Sequence, residues 1–230
     1  MPALDFGAFE AMTFDCYGTL IDWETGILAA LRPIVGPDGD DDELLEAFGR
    51  AESVVEAGPY RRYRDVLEEV ARTIATERGV AAEPEAVASF GGSVVDWPAF
   101  PDSTAALDRL HRRFRLGVIT NCDDDLFAAS ARRLGTEFDW VVTAQQAGSY
   151  KPSERNFQLA FERLGLPRER ILHVAQSLFH DHVPAKRLGL TTVWVDRRHG
   201  RSGGGATMPA SATPDLTVPD MATLADIAST

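Results

Sequence analysis

The segment FDCYGTLID, Phe14 to Asp22, brings together residue types that can do chemistry. Asp15 closes a short apolar run, Gly18 lets the chain turn sharply, and the Thr19 hydroxyl follows one turn on. A carboxylate in that position either caps the next turn or faces a ligand, because open parallel sheets bind ligands outside the carboxyl ends of their strands. The two cysteines, Cys16 and Cys122, form no C-x-x-C pair and have no histidine partner at an informative place, so packing accounts for both. His173 lies inside an apolar run and reads as a hydrogen-bonded core residue. His180 and His182 flank Asp181 and are placed to approach a site, although adjacent ligands on one loop are a weak metal signal.

The elements that must position these groups alternate between short β-rich runs and helical patterns, which is how a parallel sheet covered by helices reads. Strands are expected at Ala11 to Asp15, Leu116 to Thr120, Trp140 to Thr143, Ile171 to Ala175 and Thr191 to Val195. A helix opened by Asp123, Asp124 and Asp125 ends at Gly135, and a second, capped by Ser153, buries Phe157, Ala160, Phe161 and Leu164 before Gly165. The stretch from Ile21 to Trp97 breaks the alternation: it has helical periodicity and no good strand. Leu44, Phe48, Ala51 and Val55 share one face, and Val66, Val70 and Ile74 another. The expected architecture is therefore an α/β, Rossmann-like doubly wound core over 1–20 and 98–230, with an all-helical cap inserted over 21–97. Trp23 and Trp97, at the cap junctions, would either wall a pocket or pack as hinges. His199 to Pro214 is rich in glycine and proline and reads as a long surface loop.

Composition narrows the partners. The chain has 230 residues, 44% of them hydrophobic and 25% charged, which suits a packed globular protein of one elaborate domain or two modest ones. Its formal charge of −12 opposes the counterion release on which nucleic-acid affinity rests, and no apolar run approaches ~18 residues. Neither nucleic acid nor a membrane is expected as a partner. With little cysteine and no export signal in MPALDFGAFEAM, a reducing cytoplasm is the expected compartment.

In order along the chain stand D-x-x-G-T-L at Asp15, Gly18, Thr19 and Leu20; Thr120 and Asn121 after the run LGVI; Lys151 in SYKPS; and HVAQSLFHD with Gln176, Ser177 and Asp181. Four such motifs at strand ends resemble the haloacid dehalogenase superfamily over nearly the whole chain. The resemblance implies that Asp15 is a nucleophile forming a covalent ester, with Thr19 beside it. Thr120 and Asn121 would hold the substrate's anionic group, and Lys151 would neutralise the carboxylates.

Two departures from the superfamily's phosphatases point to its L-2-haloacid dehalogenase branch. Tyr17 replaces the second aspartate that protonates an alkoxide, and halide leaves without a proton. Gln176 stands where phosphatases carry an acidic magnesium ligand, so no metal or other cofactor is expected. By that resemblance Tyr17 helps bind substrate and Arg50, early in the cap, is the candidate to cradle halide, with Arg61, Arg62 and Arg64 nearby. Gln176 and Ser177 would orient the hydrolytic water, while Asp181 either pairs with Lys151 or acts as base. Phe157 replaces a tyrosine usual in the branch and reads as core. The expectation is metal-independent removal of halide from short 2-haloalkanoic acids, with a small anionic substrate and a homodimer as possible assembly. The alternatives are a magnesium-dependent phosphatase, using Asp22 or a cap acid as proton donor, and a catalytically idle binding protein.

Overall fold

The computed structural model describes residues 4–199 and 205–229. Six strands form one parallel sheet: β1 (Ala11–Phe14), β2 (Arg115–Thr120), β3 (Trp140–Thr143), β4 (Ile171–Ala175), β5 (Thr191–Val195) and β6 (Leu216–Val218). Their spatial order is β3-β2-β1-β4-β5-β6. The winding reverses between β1 and β4, where Phe14 pairs with Val118 on one side and Val174 on the other. That reversal opens a crevice at the carboxyl edge of the sheet. The first five strands fall within a residue of their expected bounds. β6 was not expected: Leu-Thr-Val is too short to signal a strand, and its order comes from pairing with β5 through Val193 and Leu216.

Both faces of the sheet are covered, so its strands read as continuous apolar runs. One face carries α8 (Glu154–Leu164) and α9 (Val183–Arg187), which bury Phe157, Ala160, Leu164, Ala185 and Leu188 against Ala11, Ile119 and Ile171. The other packs α5 (Ser103–His111) and α10 (Met221–Ala228), through Leu107, Leu110 and Leu224, beneath Met12, Leu116 and Val193. The crossover helix α6 (Asp124–Leu134) ends at Gly135 in the left-handed conformation, where the sequence placed its stop. A short α7 (Ala144–Ala147) follows β3.

Between β1 and α5 the described chain is helical: α1 (Trp23–Val35), α2 (Asp41–Glu56), α3 (Tyr63–Glu77) and α4 (Pro84–Gly92). Their apolar stripes meet through Leu31, Leu44, Phe48, Val70, Ile74 and Phe90, all essentially inaccessible. A single antiparallel bridge between Ile21 and Ala99 ties the entry of this helical segment to its exit. On α2 the stripe differs from expectation. Val55 is only partly covered, and Glu52 occupies the buried face instead.

The loop after β5 also departs from expectation. Residues 200–204 lie outside the described residues, but Gly205 to Thr207 are buried rather than left on the surface. Ala206 belongs to the main core cluster, and a Cβ placed on Gly49 of α2 would come within 2.7 Å of the Ala206 carbonyl oxygen. Glycine at position 49 is what lets this segment lie directly on the helix. Among the described residues no helix is long and apolar enough to cross a membrane.

Candidate active site

Asp15 follows the last residue of β1, at the point where the sheet reverses its winding, and its amide still donates to Val174 across the ladder. Gly18, with φ of 91°, then bends the chain back so that the Thr19 hydroxyl donates to Asp15 Oδ2 at 2.7 Å. The same hydroxyl accepts from the Gln176 amide at 2.9 Å, which couples the loop after β1 to the loop after β4. Asp15 Oδ1 accepts from Lys151 Nζ at 2.9 Å. Lys151 also donates to Asp181 Oδ1 at 2.7 Å and to the Ile119 carbonyl at 2.9 Å. An ammonium has three protons, so this one is fully committed. Asn121 fixes the lysine from behind: its Oδ1 accepts from the Lys151 amide at 2.7 Å and its Nδ2 donates to the Lys151 carbonyl at 3.0 Å.

These groups are almost wholly removed from water, and their charges shape one another strongly as a result. Burial raises the Asp15 carboxyl above the usual aspartate range, with Lys151 opposing it. Burial would also raise Asp181, but Lys151 and the hydrogen bond from His173 reverse that and hold its carboxyl well below the ordinary value. For Lys151 burial favours the neutral amine, and the two carboxylates outweigh it, keeping the side chain charged. Asp181 therefore pairs with Lys151, one of the two roles left open by the sequence. His173 bridges from Thr13 Oγ1 at 2.8 Å to Asp181 at 3.1 Å, and Phe157 packs edge-on against its ring, so both are the core residues expected.

A narrow cavity of about 20 Å³ lies beside Asp15, lined by Tyr17, Asn121, Lys151, Ser177, His180, Asp181 and Thr207 from around the sheet edge, and by Trp23, Glu52, Glu56 and Tyr63 from the helical segment. That is room for about one water. Ser177 accepts from the His180 amide at 2.9 Å and meets its Nδ1 at 3.1 Å, while burial lowers His180 to about 4 and leaves the ring neutral. Tyr17 shows the cavity its ring, because its hydroxyl is taken by Ser130 at 3.0 Å and Cys122 at 3.3 Å. Burial raises both thiols, Cys16 and Cys122, so neither presents a thiolate.

Other expected site residues fall elsewhere. Thr120 is buried at the end of β2 and does not line the cavity; its hydroxyl lacks a hydrogen-bond partner. Gln176 turns its side chain away, with Oε1 against Gly18 in a neighbouring cleft lined by Arg197 and Arg198. Arg50 is exposed and opens onto a surface cleft with Glu46 and Met208, not onto Asp15. Helical geometry explains this: two residues beyond buried Phe48 is roughly 200° around the helix. Asp22 caps α1 through Thr25 outside the cavity. Trp23 walls the cavity, whereas Trp97 packs against Tyr17, ring centroids 5.6 Å apart.

The residues missed by sequence reading are Glu52 and Glu56. Their signal was available, since two glutamates four apart on an apolar helix stripe share its buried face. Glu52 Oε1 accepts from the Tyr63 hydroxyl at 2.7 Å, and burial pushes its carboxyl up to about 7. Burial and the neighbouring Glu52 also push Glu56 well above the usual glutamate range. Its Oε2 lies 3.4 Å from Asn121 Nδ2, and its Oε1 is buried without a partner.

A divalent cation, as carried by related phosphatases, fits this donor set poorly. The Lys151 ammonium already lies between the Asp15 and Asp181 carboxylates, and the neutral Gln176 side chain points away from them.

A family model described as haloacid dehalogenase-like hydrolase matches residues 9–179. The chain is 25% identical over 226 residues to an (S)-2-haloacid dehalogenase of Pseudomonas putida, covering 94% of this chain and 96% of that one. It is 29% identical over 212 residues to a 5-amino-6-(5-phospho-D-ribitylamino)uracil phosphatase of Escherichia coli (strain K12), covering 84% of this chain and 86% of the other. Among solved structures, L-2-haloacid dehalogenase from Xanthobacter autotrophicus with chloropropionic acid covalently bound superposes with a TM-score of 0.79 at 20% identity, over 95% of this chain and 98% of that one. From its sheet order, its ordered motifs and the span of the model match, the chain belongs to the haloacid dehalogenase-like hydrolases.

Proposed function

We propose that this protein hydrolyses the carbon–halogen bond of short 2-haloalkanoic acids through an ester on Asp15, without a metal. The observation that carries the reading is the buried Asp15–Lys151–Asp181 array, in which the ammonium lies where a cation must offset repulsion between a carboxylate nucleophile and an anionic substrate. Its support from similarity is the (S)-2-haloacid dehalogenase match across nearly the whole chain.

In the first step an Asp15 oxygen bonds to the substrate's α-carbon, and the halide departs with the carbon–halogen electron pair. Thr19 and Lys151 hold the carboxylate in one orientation. In the second, water attacks the Asp15 carboxyl carbon, releasing the 2-hydroxy acid and restoring the carboxylate. Asp181 is a poor base while held by Lys151. Neutral His180, hydrogen-bonded to Ser177 and facing the same cavity, is the group assigned to take the proton from water.

The test is halide release from 2-chloropropionate in chelator. We expect turnover in the native protein, its loss in Asp15→Asn, and transfer of heavy oxygen from solvent into Asp15 during a single turnover. An unlabelled Asp15 with labelled product overturns the ester. A second reading, phosphate-ester hydrolysis, is favoured by the cap carboxyls Glu52 and Glu56, because an alkoxide leaving group needs an acid. Magnesium-dependent hydrolysis of a phosphate-ester panel without halide release selects it.

A further inference from the structure

The cavity beside Asp15 has a charge problem that the residues expected from sequence do not solve. Among the described residues the only lysine or arginine lining it is Lys151, and all three of its protons are spent on Asp15, Asp181 and the Ile119 carbonyl. Arg50 lies outside it. From the helical segment come two carboxyls and a phenol, Glu52, Glu56 and Tyr63. Were both glutamates ionised, an anionic substrate would enter a buried space already holding four carboxylates against one ammonium. Such a space rejects anions.

Glu56 differs from its neighbour in having one carboxyl oxygen without a partner among the described residues, its other oxygen accepting from Asn121 Nδ2. Glu52 is engaged by the Tyr63 hydroxyl, whereas Glu56 Oε1 is buried and makes no hydrogen bond. A buried polar atom left so has lost its hydration without compensation, which a bound group would restore. Its other oxygen stands 3.4 Å from Asn121 Nδ2 and 4.0 Å from His180 Nε2, close to the loops at the sheet edge.

We propose that Glu56 meets the substrate as a neutral acid, its O–H donating a hydrogen bond to the carboxylate of a small 2-substituted acid. The inference rests on the reading of the substrate as such an acid and adds its recognition. Every titratable group facing Glu56 bears on its proton. On its own helix Glu52 disfavours a second negative charge; from α3 Tyr63 is held by Glu52; from the sheet edge Lys151 favours ionisation but is neutralised by Asp15 and Asp181; His180 is uncharged; and Tyr150 stays protonated in the wall beyond. Burial dominates that balance, and it raises Glu56 well above the usual glutamate range.

The consequence is that affinity for a carboxylate falls as pH rises, which is opposite to a cation-reading site. The experiment titrates the non-reactive 2-hydroxypropanoate into native protein, Glu56→Gln and Glu52→Gln by calorimetry between pH 6 and pH 9. This probe is an anion throughout that range. We expect the native Kd to rise with pH, by at most about tenfold per pH unit. Glu56→Gln, which keeps an N–H donor, retains binding but loses that slope, and Glu52→Gln keeps it. A flat native profile, a slope surviving in Glu56→Gln, affinity that strengthens with pH, or no binding at pH 6 each overturns the proposal. Halide release is read separately. Its absence alongside the expected binding slope sinks the dehalogenase reading alone; its presence with a flat slope sinks the Glu56 assignment alone.

Discussion

One buried lysine determines what Asp15 can do. Without the ammonium, Asp15 and Asp181 would be two uncompensated carboxylates in a buried site; with it, Asp181 is held ionised and the rise that burial imposes on Asp15 is opposed. That arrangement makes Asp181 a weak base, which is why the proposed second step is assigned to another group. His180 is the neighbour with an uncharged ring in the cavity. Replacing it with glutamine should leave the first step running and slow ester hydrolysis by roughly 10²-fold. Rapid-quench mass spectrometry would then find Asp15 esterified at steady state; an unesterified Asp15 with a normal rate would remove His180 from the mechanism.

At the scale of elements, the helical segment is joined to the sheet edge by a carboxylate acting in trans. Asp123 was expected to open α6, but its side chain leaves that helix uncapped and accepts instead from the Tyr63 and Arg64 amides, at 3.1 and 3.2 Å, at the start of α3. Helix α3 has no side-chain cap of its own. Arg62 and Arg64 add ion pairs to Asp125 at 3.2 and 2.7 Å, so two of the arginines considered for halide are occupied in holding α3 against α6. These pairs are half-exposed and worth little singly. The Asp123 cap is buried and should be worth about 1–2 kcal/mol. Asp123→Ala is therefore expected to lower the urea midpoint, speed amide exchange at Tyr63 and Arg64, and raise KM, because Tyr63 holds Glu52 at the cavity. An unchanged exchange rate at those two amides would show that the junction is held by packing alone.

For the molecule as a whole, the cavity carries two acids whose carboxyls burial raises above the usual glutamate range. Glu52 has its carboxyl raised to about 7 in the folded state against an ordinary 4.5. Between those values the folded protein keeps a proton that the unfolded chain releases, so stability falls as pH rises through this window and levels off above it. For Glu52 alone the loss is roughly 3 kcal/mol as an upper figure. Asp181 runs the other way: its depressed carboxyl adds stability above the ordinary aspartate value, which is lost as pH falls below it. Thermal unfolding across pH 4.5 to 8 should show Tm declining toward neutrality, and Glu52→Gln should flatten that decline. A native Tm that rises over the window would contradict the burial of a proton there.

The sequence alone determined the parts that depend on local pattern. Short β-rich apolar runs, near-period-four apolar spacing, glycine stops and motifs at strand ends located five strands, the helical stretch between β1 and α5, and Asp15, Thr19, Lys151 and Asp181 together. Those groups were legible because each sits a fixed few residues beyond a strand, and parallel strands carry such positions to one edge. Only the tertiary structure decided which face of α2 looks into the cavity, and with it that Glu52 and Glu56 line it while Arg50 does not. Likewise it decided that Ala206 is buried against Gly49 and that Asp123 caps a helix sixty residues away. Such choices rest on how helices rotate and dock against partners distant in the chain, and no spacing within one segment encodes them.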